Sequence, residues 1–150
     1  MRYPRARLGA LLAGSTRTLT RLEHDQRTIG LNALAGSVVT LPKALGHGTR
    51  FMFYVAVLAT SAAHIVKVSN AVDVFRGLIL GSRIDVGNAV LGFAAGATDD
   101  TITLNRTTTG SVSIGEWLMV EDTATGIWQV RGVLSATGAA FATPFSATVA

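Results

Sequence analysis

The chain has 150 residues, no cysteine, a net charge of +4, 49% hydrophobic residues and charged side chains at only 15% of positions. This length suits one domain with a proper core. The apolar content and low charge exclude intrinsic disorder, and the lack of cysteine excludes a disulfide framework or a Cys-based zinc site. No apolar run approaches the ~20 residues of a membrane helix. An ordinary soluble domain carries roughly a quarter charged residues. A body of this size cannot hide so much apolar surface alone, so other protein chains are expected to cover part of it. That points to assembly rather than catalysis.

The charge is unevenly placed. Residues 1–50 hold eight Lys/Arg against Glu23 and Asp25, whereas residues 51–150 hold five basic and seven acidic residues. Such asymmetry fits a basic arm on an acidic partner surface; a nucleic-acid reader would carry a basic stripe across the folded body. Neither nucleic acid nor membrane is therefore an expected partner.

The first stretch reads MRYPRARLGALLAGS. Arginines followed by apolar and then small residues suggest a secretory leader, but the apolar part, Leu8 to Ala13, is six residues with Gly9 inside it. A leader needs about seven to fifteen. No helical stripe supports an amphipathic anchor either. The preferred reading is a flexible arm over residues 1–16 that orders on binding, followed by a single β domain over 17–150. Within the arm Arg2, Tyr3, Arg5, Arg7, Leu8, Leu11 and Leu12 are the candidate partner contacts.

Beyond the arm, short β runs alternate with turn residues. Arg27 to Leu31 and Ser37 to Leu41 form the first pair of runs, and Pro42 ends the second because it lacks a backbone donor. Arg50 to Leu58 is the most apolar run, with Phe51, Phe53, Val55 and Val57 on one face and Met52, Tyr54, Ala56 and Leu58 on the other. Both faces should be covered, so Phe51, Phe53 and Tyr54 are candidates for core or subunit interface. Glycine-broken residues 71–96 read as bent strands rather than helix. His64 to Ser69 and Thr101 to Asn105 alternate with Val66, Val68, Ile102 and Leu104 inward. Val112 and Ile114 read as a short strand, and Trp117 to Asp122 with Ile127 to Leu134 as a hairpin. The tail around Pro144 and Phe145 reads as an edge strand or a swapped arm. No window holds a capped helical stripe. The fold class is all-β, a compact barrel or sandwich.

Catalytic groups are sparse. His24, His47 and His64 are the only histidines; neither His47 nor His64 has an acidic sequence neighbour, and a surface or packing role is expected. Gly110 to Gly115 has the wrong spacing for a nucleophile elbow. Asp99-Asp100 lacks the further oxygens calcium needs and reads as a turn cap. Gly46-His47-Gly48 lacks the Lys-Ser/Thr of a phosphate loop. Trp117 and Trp128, with Arg131 nearby, could stack bases or sugars, but both lie in alternating strands where core packing is usual. No enzyme activity, metal or cofactor is expected.

Several strings carry a resemblance: Leu19-Thr20, His24, Arg27-Thr28-Ile29 and Leu31-Asn32, then Val38-Val39-Thr40-Leu41-Pro42, Arg50-Phe51 and Ile65-Val66-Lys67-Val68. Ala97 to Ile102 and the terminal Ala142-Thr143-Pro144-Phe145-Ser146-Ala147-Thr148-Val149 complete it. Over most of residues 18–149 the chain resembles small structural proteins of tailed bacteriophages similar to capsid decoration, or cement, proteins. The resemblance implies a virion protein on the outer capsid surface, bound to the major capsid protein. It also implies self-association, usually as a homotrimer, and a tulip-like or jelly-roll body. It brings no catalytic residue. The rival readings are a tail, fibre or receptor-binding component, and a secreted β-sandwich lectin or hydrolase using His47, Asp99 or Asp100.

Overall fold

In the computed structural model the described residues are 9–85, 87, 89–137 and 141–149. They form two mixed β-sheets packed face to face, so of the all-β architectures left open by the sequence this is the sandwich. Strands β1 (Leu11–Leu12), β3 (Arg27–Leu31), β5 (Arg50–Val55), β7 (Val74–Arg83), β8 (Val90–Ala94), β10 (Trp117–Ala124) and β11 (Ile127–Ala136) make the larger sheet, in the order β1-β3-β5-β10-β11-β7-β8. The smaller sheet holds β2 (Thr16–Thr18), β4 (Val38–Thr40), β6 (His64–Lys67), β9 (Thr101–Leu104) and β12 (Phe145–Ser146), in the order β12-β9-β6-β4-β2.

The first six strands alternate between the two sheets. Consecutive strands therefore face each other across the core, while β1, β3 and β5, and likewise β2, β4 and β6, pair in parallel. The runs at 27–31 and 37–41, adjacent in sequence, thus belong to opposite layers. A jelly roll is antiparallel throughout; this sandwich also pairs β7 with β11 in parallel over Val74–Arg83.

The central strands bury the residues their alternation predicts. Ile29, Phe51, Phe53, Leu118, Val120, Trp128, Val130 and Ile79 from the large sheet meet Val39, Val66, Ile102, Leu104 and Phe145 from the small one. Phe51 and Trp128 pack ring against ring at 5.7 Å between centroids. The expected hairpin is present, with Ala124 opposite Ile127 at its tip and a register shift between Asp122 and Ala124.

Strand glycines serve as slots for large neighbours. A Cβ on Gly81 would lie 2.1 Å from the Phe141 ring, and one on Gly30 2.9 Å from the Tyr54 hydroxyl. Gly36 combines a φ of +93° with an approach of 2.2 Å to the Ala63 carbonyl, a position closed to any side chain.

Three expectations need correction. The proposed arm over 1–16 is too long: Leu11–Leu12 pairs with Ile29 and Gly30, Ala13 is buried, and Thr16 already lies in β2. The backbone of this segment gains ladder bonds that a free arm would forgo. Val112 and Ile114 form no strand; that stretch wraps a buried carboxylate instead. Residues Arg21–His24 form a single helical turn capped by Thr20, too short to leave a periodic signal.

Candidate interaction surface

Four of the nine side-chain carboxylates are used inside the body. Asp73, Asp100, Glu116 and Asp122 are all buried, and each holds a loop or tail by its backbone N–H groups. Glu116 accepts from the N–H groups of Ser111 (2.8 Å), Val112 (2.7 Å) and Ser113 (2.6 Å) and from the Ser135 hydroxyl (2.5 Å). This grip holds Ser111 at a φ of +62°, a conformation costly for a non-glycine residue. Asp100 accepts from Thr148 and Val149 and from the Thr101 hydroxyl, fastening the C-terminal tail. Asp73 takes the N–H of Ala44 at 2.7 Å.

Asp122 is the most heavily engaged. It accepts from the backbones of Leu45, Gly46 and His47 and from the Arg21 guanidinium at 2.7 Å. Burial pushes its carboxyl up, but the Arg21 hydrogen bond and the three backbone donors outweigh this and hold it below the usual aspartate value.

The rival catalytic reading rests on His47, Asp99 and Asp100. His47 is an exposed loop residue whose N–H binds Asp122. Asp99 caps its turn through the Gly96 N–H at 2.7 Å, as its sequence suggested, and Asp100 serves the tail. Among the described residues no group of three metal-ligating side chains converges.

His64 is a core histidine. Its Nδ1 accepts the Ser37 N–H and its Nε2 donates to the Val57 carbonyl, both at 2.9 Å, which requires the neutral ring. Desolvation lowers its pKa, against smaller raising effects of the Val57 carbonyl and the Glu116 charge. The unfolded chain therefore takes up a proton first as pH falls through about 6.5. The stability tied to His64 is complete above that pH and declines below it. Thermal melts from pH 7.5 down to 5.5 should show a falling midpoint, and His64→Gln, less stable at pH 7.5, should flatten the slope.

What remains at the surface is an apolar sheet face. Two cross-strand rows run over the outside of the large sheet. One follows Leu12, Gly30, Tyr54, Trp117, Val133, Leu80 and Gly92; the other follows Thr28, Met52, Met119, Arg131, Leu78 and Ala94. Met52 is 38% exposed, Val133 41% and Leu78 47%. Between Trp117, Val133, Leu80, Leu78 and Arg131 lies a shallow groove of about 450 Å³. In these two rows Arg131 is the one charged residue.

The sequence-predicted contacts divide across this picture. Arg2, Tyr3, Arg5, Arg7 and Leu8 lie outside the described residues. Leu12 begins the first exposed row, whereas Leu11, half-buried, packs against the core. Phe51 and Phe53 are fully buried, so they belong to the core. Tyr54 lies outside, folded over Gly30. The apolar run was expected to be covered on both faces; within this chain only the Phe51, Phe53 and Val55 face is, and the strand ends at Val55. Trp117, Val133, Leu78 and Leu80 were not singled out as contacts. Their outward parity becomes visible only when the strand order is known. Trp128 packs in the core as its alternation implied. Compared with protein-family models, curated proteins and solved structures, the chain gives no match.

Proposed function

We propose that this protein is a structural, non-enzymatic capsid decoration protein that binds the outside of a phage head and strengthens contacts between capsomers. The observation that supports this reading is the continuous outward face of half-buried Tyr54 and Trp117 with exposed Val133, Leu80, Met52 and Leu78. The partner is proposed from the resemblance of the sequence strings to those of phage decoration proteins. Packaged DNA presses outward and capsomers fail by parting at their edges, so a bridging subunit adds burial that must be broken first. At ~25 cal/mol per Å² of apolar surface, a few hundred Å² at each of many junctions resists that parting. The face stands on paired strands, so the surface is offered already ordered and little entropy is lost on docking. The basic segment before Gly9 extends the contact onto the shell.

Co-sedimentation with expanded, undecorated phage shells tests the proposal. Wild-type protein should bind in hundreds of copies per particle, and Val133→Glu or Leu78→Glu should weaken binding by about tenfold or more while leaving the melting temperature unchanged. Removal of residues 1–8 should leave a folded protein with reduced shell affinity. Wild-type protein that ignores shells, or glutamate variants that bind undiminished, would overturn the assignment.

A further inference from the structure

The two sheets have four edges, and three are blunt: β1 and β12 are two residues long and β2 is three. Short edges offer little for another chain to pair with. The fourth, β8, is different. Its sequence, Val90-Leu91-Gly92-Phe93-Ala94, has no charge and no proline, and its register with β7 runs without a bulge from Ser82↔Val90 to Leu78↔Ala94. Val90 is 63% exposed and Leu91 44%. Neither charge, proline, bulge nor brevity protects this edge.

Its hydrogen-bonding parity can be worked out. The Arg83 N–H donates to the Ala89 carbonyl and the Ala95 N–H to the Gly77 carbonyl. In an antiparallel ladder, bonded and non-bonded pairs alternate. Ala89, Leu91, Phe93 and Ala95 therefore bond inward to β7, while Val90, Gly92 and Ala94 turn both N–H and C=O outward. No other segment among the described residues bonds to these three. Outward groups at alternate positions, centred on Gly92, are self-complementary. A second copy related by a two-fold axis through Gly92 sets Gly92 opposite Gly92, and Val90 opposite Ala94 on each side. Every outward donor then meets an outward acceptor, making six hydrogen bonds about the axis. Leu91 and Phe93 of one copy meet Phe93 and Leu91 of the other. Phe93 is already held by the Phe141 ring, stacked at 5.0 Å, so its ordering costs little on association.

We infer that β8 is a homodimerisation edge, joining two large sheets into one continuous sheet by antiparallel β8–β8 pairing about Gly92. The pairing also sets the Leu78 and Leu80 rows of the two copies side by side on one outer surface. A contact of this size belongs to the small, concentration-dependent class of interfaces. Antiparallel pairing of a strand with its own copy closes as a dimer. The three-subunit cluster implied by the resemblance would need a different surface. The inference does not depend on capsid binding.

Sedimentation velocity of the full chain across a concentration series tests it. Wild-type protein should pass from monomer to dimer. Gly92→Pro removes an outward donor and no bond to β7, and a Cβ there would meet Leu78 at an ordinary 3.4 Å. It should raise the dimer dissociation constant about tenfold or more with an unchanged circular-dichroism spectrum. Should that variant misfold, Gly92→Cys decides. Facing Cα atoms in a bonded pair lie about 5.5 Å apart, within disulfide reach, and the chain has no other cysteine. Oxidation should give a covalent dimer much faster than with Ala97→Cys, an exposed position off the strand. A protein that stays monomeric at every concentration overturns the inference. So does a trimer indifferent to Gly92→Pro, or cross-linking at residue 92 no faster than at residue 97.

Discussion

Replacing Asp122 by alanine should cost about 3–5 kcal/mol, the scale for removing one member of a buried ion pair. The side chain is fully buried, and its loss leaves the N–H groups of Leu45, Gly46 and His47 without their acceptor, while the partly exposed Arg21 guanidinium keeps only the Lys43 carbonyl. Each abandoned donor carries a penalty of about 1–3 kcal/mol when water cannot reach it. The loop at 44–47 is partly open, so the sum stays below that ceiling. A domain of this size has a total stability of about 5–15 kcal/mol, so Asp122→Ala should lower the melting temperature by roughly 10 °C. Glu121→Ala is the neighbouring control. Glu121 pairs with Arg50 at 3.0 Å near solvent, and its removal should change stability by less than about 1 kcal/mol. Urea titrations of the two variants would check the contrast, and equal losses would refute the clamp.

The clamp also carries a pH signature. The folded Asp122 carboxyl is held below its ordinary value, so its contribution is complete above about pH 4 and is lost as pH falls through the folded value. The His64 contribution fades earlier, below about pH 6.5. Acid unfolding should therefore proceed over two ranges, with Asp122→Ala reducing only the lower one.

Phe53→Ala should destabilise by about 3–5 kcal/mol, whereas Met52→Ala, one residue away, should cost less than about 1 kcal/mol. Phe53 is fully buried opposite Leu118, and Met52 lies 38% exposed opposite Met119. A strand slipped by one residue would exchange the two costs. Equilibrium denaturation of both variants reads the register directly. Comparable losses would mean that both faces of β5 are covered even in the isolated chain. The same pair separates folding from docking: on the proposed function, Met52→Ala should weaken shell binding while leaving the body intact.

The sequence carried more of the fold than of the surface. Alternation at Phe51, Phe53, Val66, Ile102 and Trp128 identified inward faces, because a strand's period of two is written in consecutive residues whatever its partners. The hairpin of Trp117 to Leu134 was legible for the same reason, with turn residues between two alternating runs. The loop at 110–116 was not. Its Val112 and Ile114 mimic a strand, and the signal for what it does is Glu116, whose four donors include Ser135 from a different strand.

Period-two runs separated by turn residues by themselves determined that this is an all-β protein, and composition that its charges are few. Only the tertiary structure decided where the bare surface lies. Period-two patterns are identical for parallel and antiparallel neighbours, so nothing local says that β1 to β6 alternate between sheets. Nor does any local pattern make β8 an edge, or align Tyr54, Trp117, Val133 and Leu80 in one row. Those relations depend on strand order, which is set by long-range packing and by the buried carboxylates that tie distant loops together.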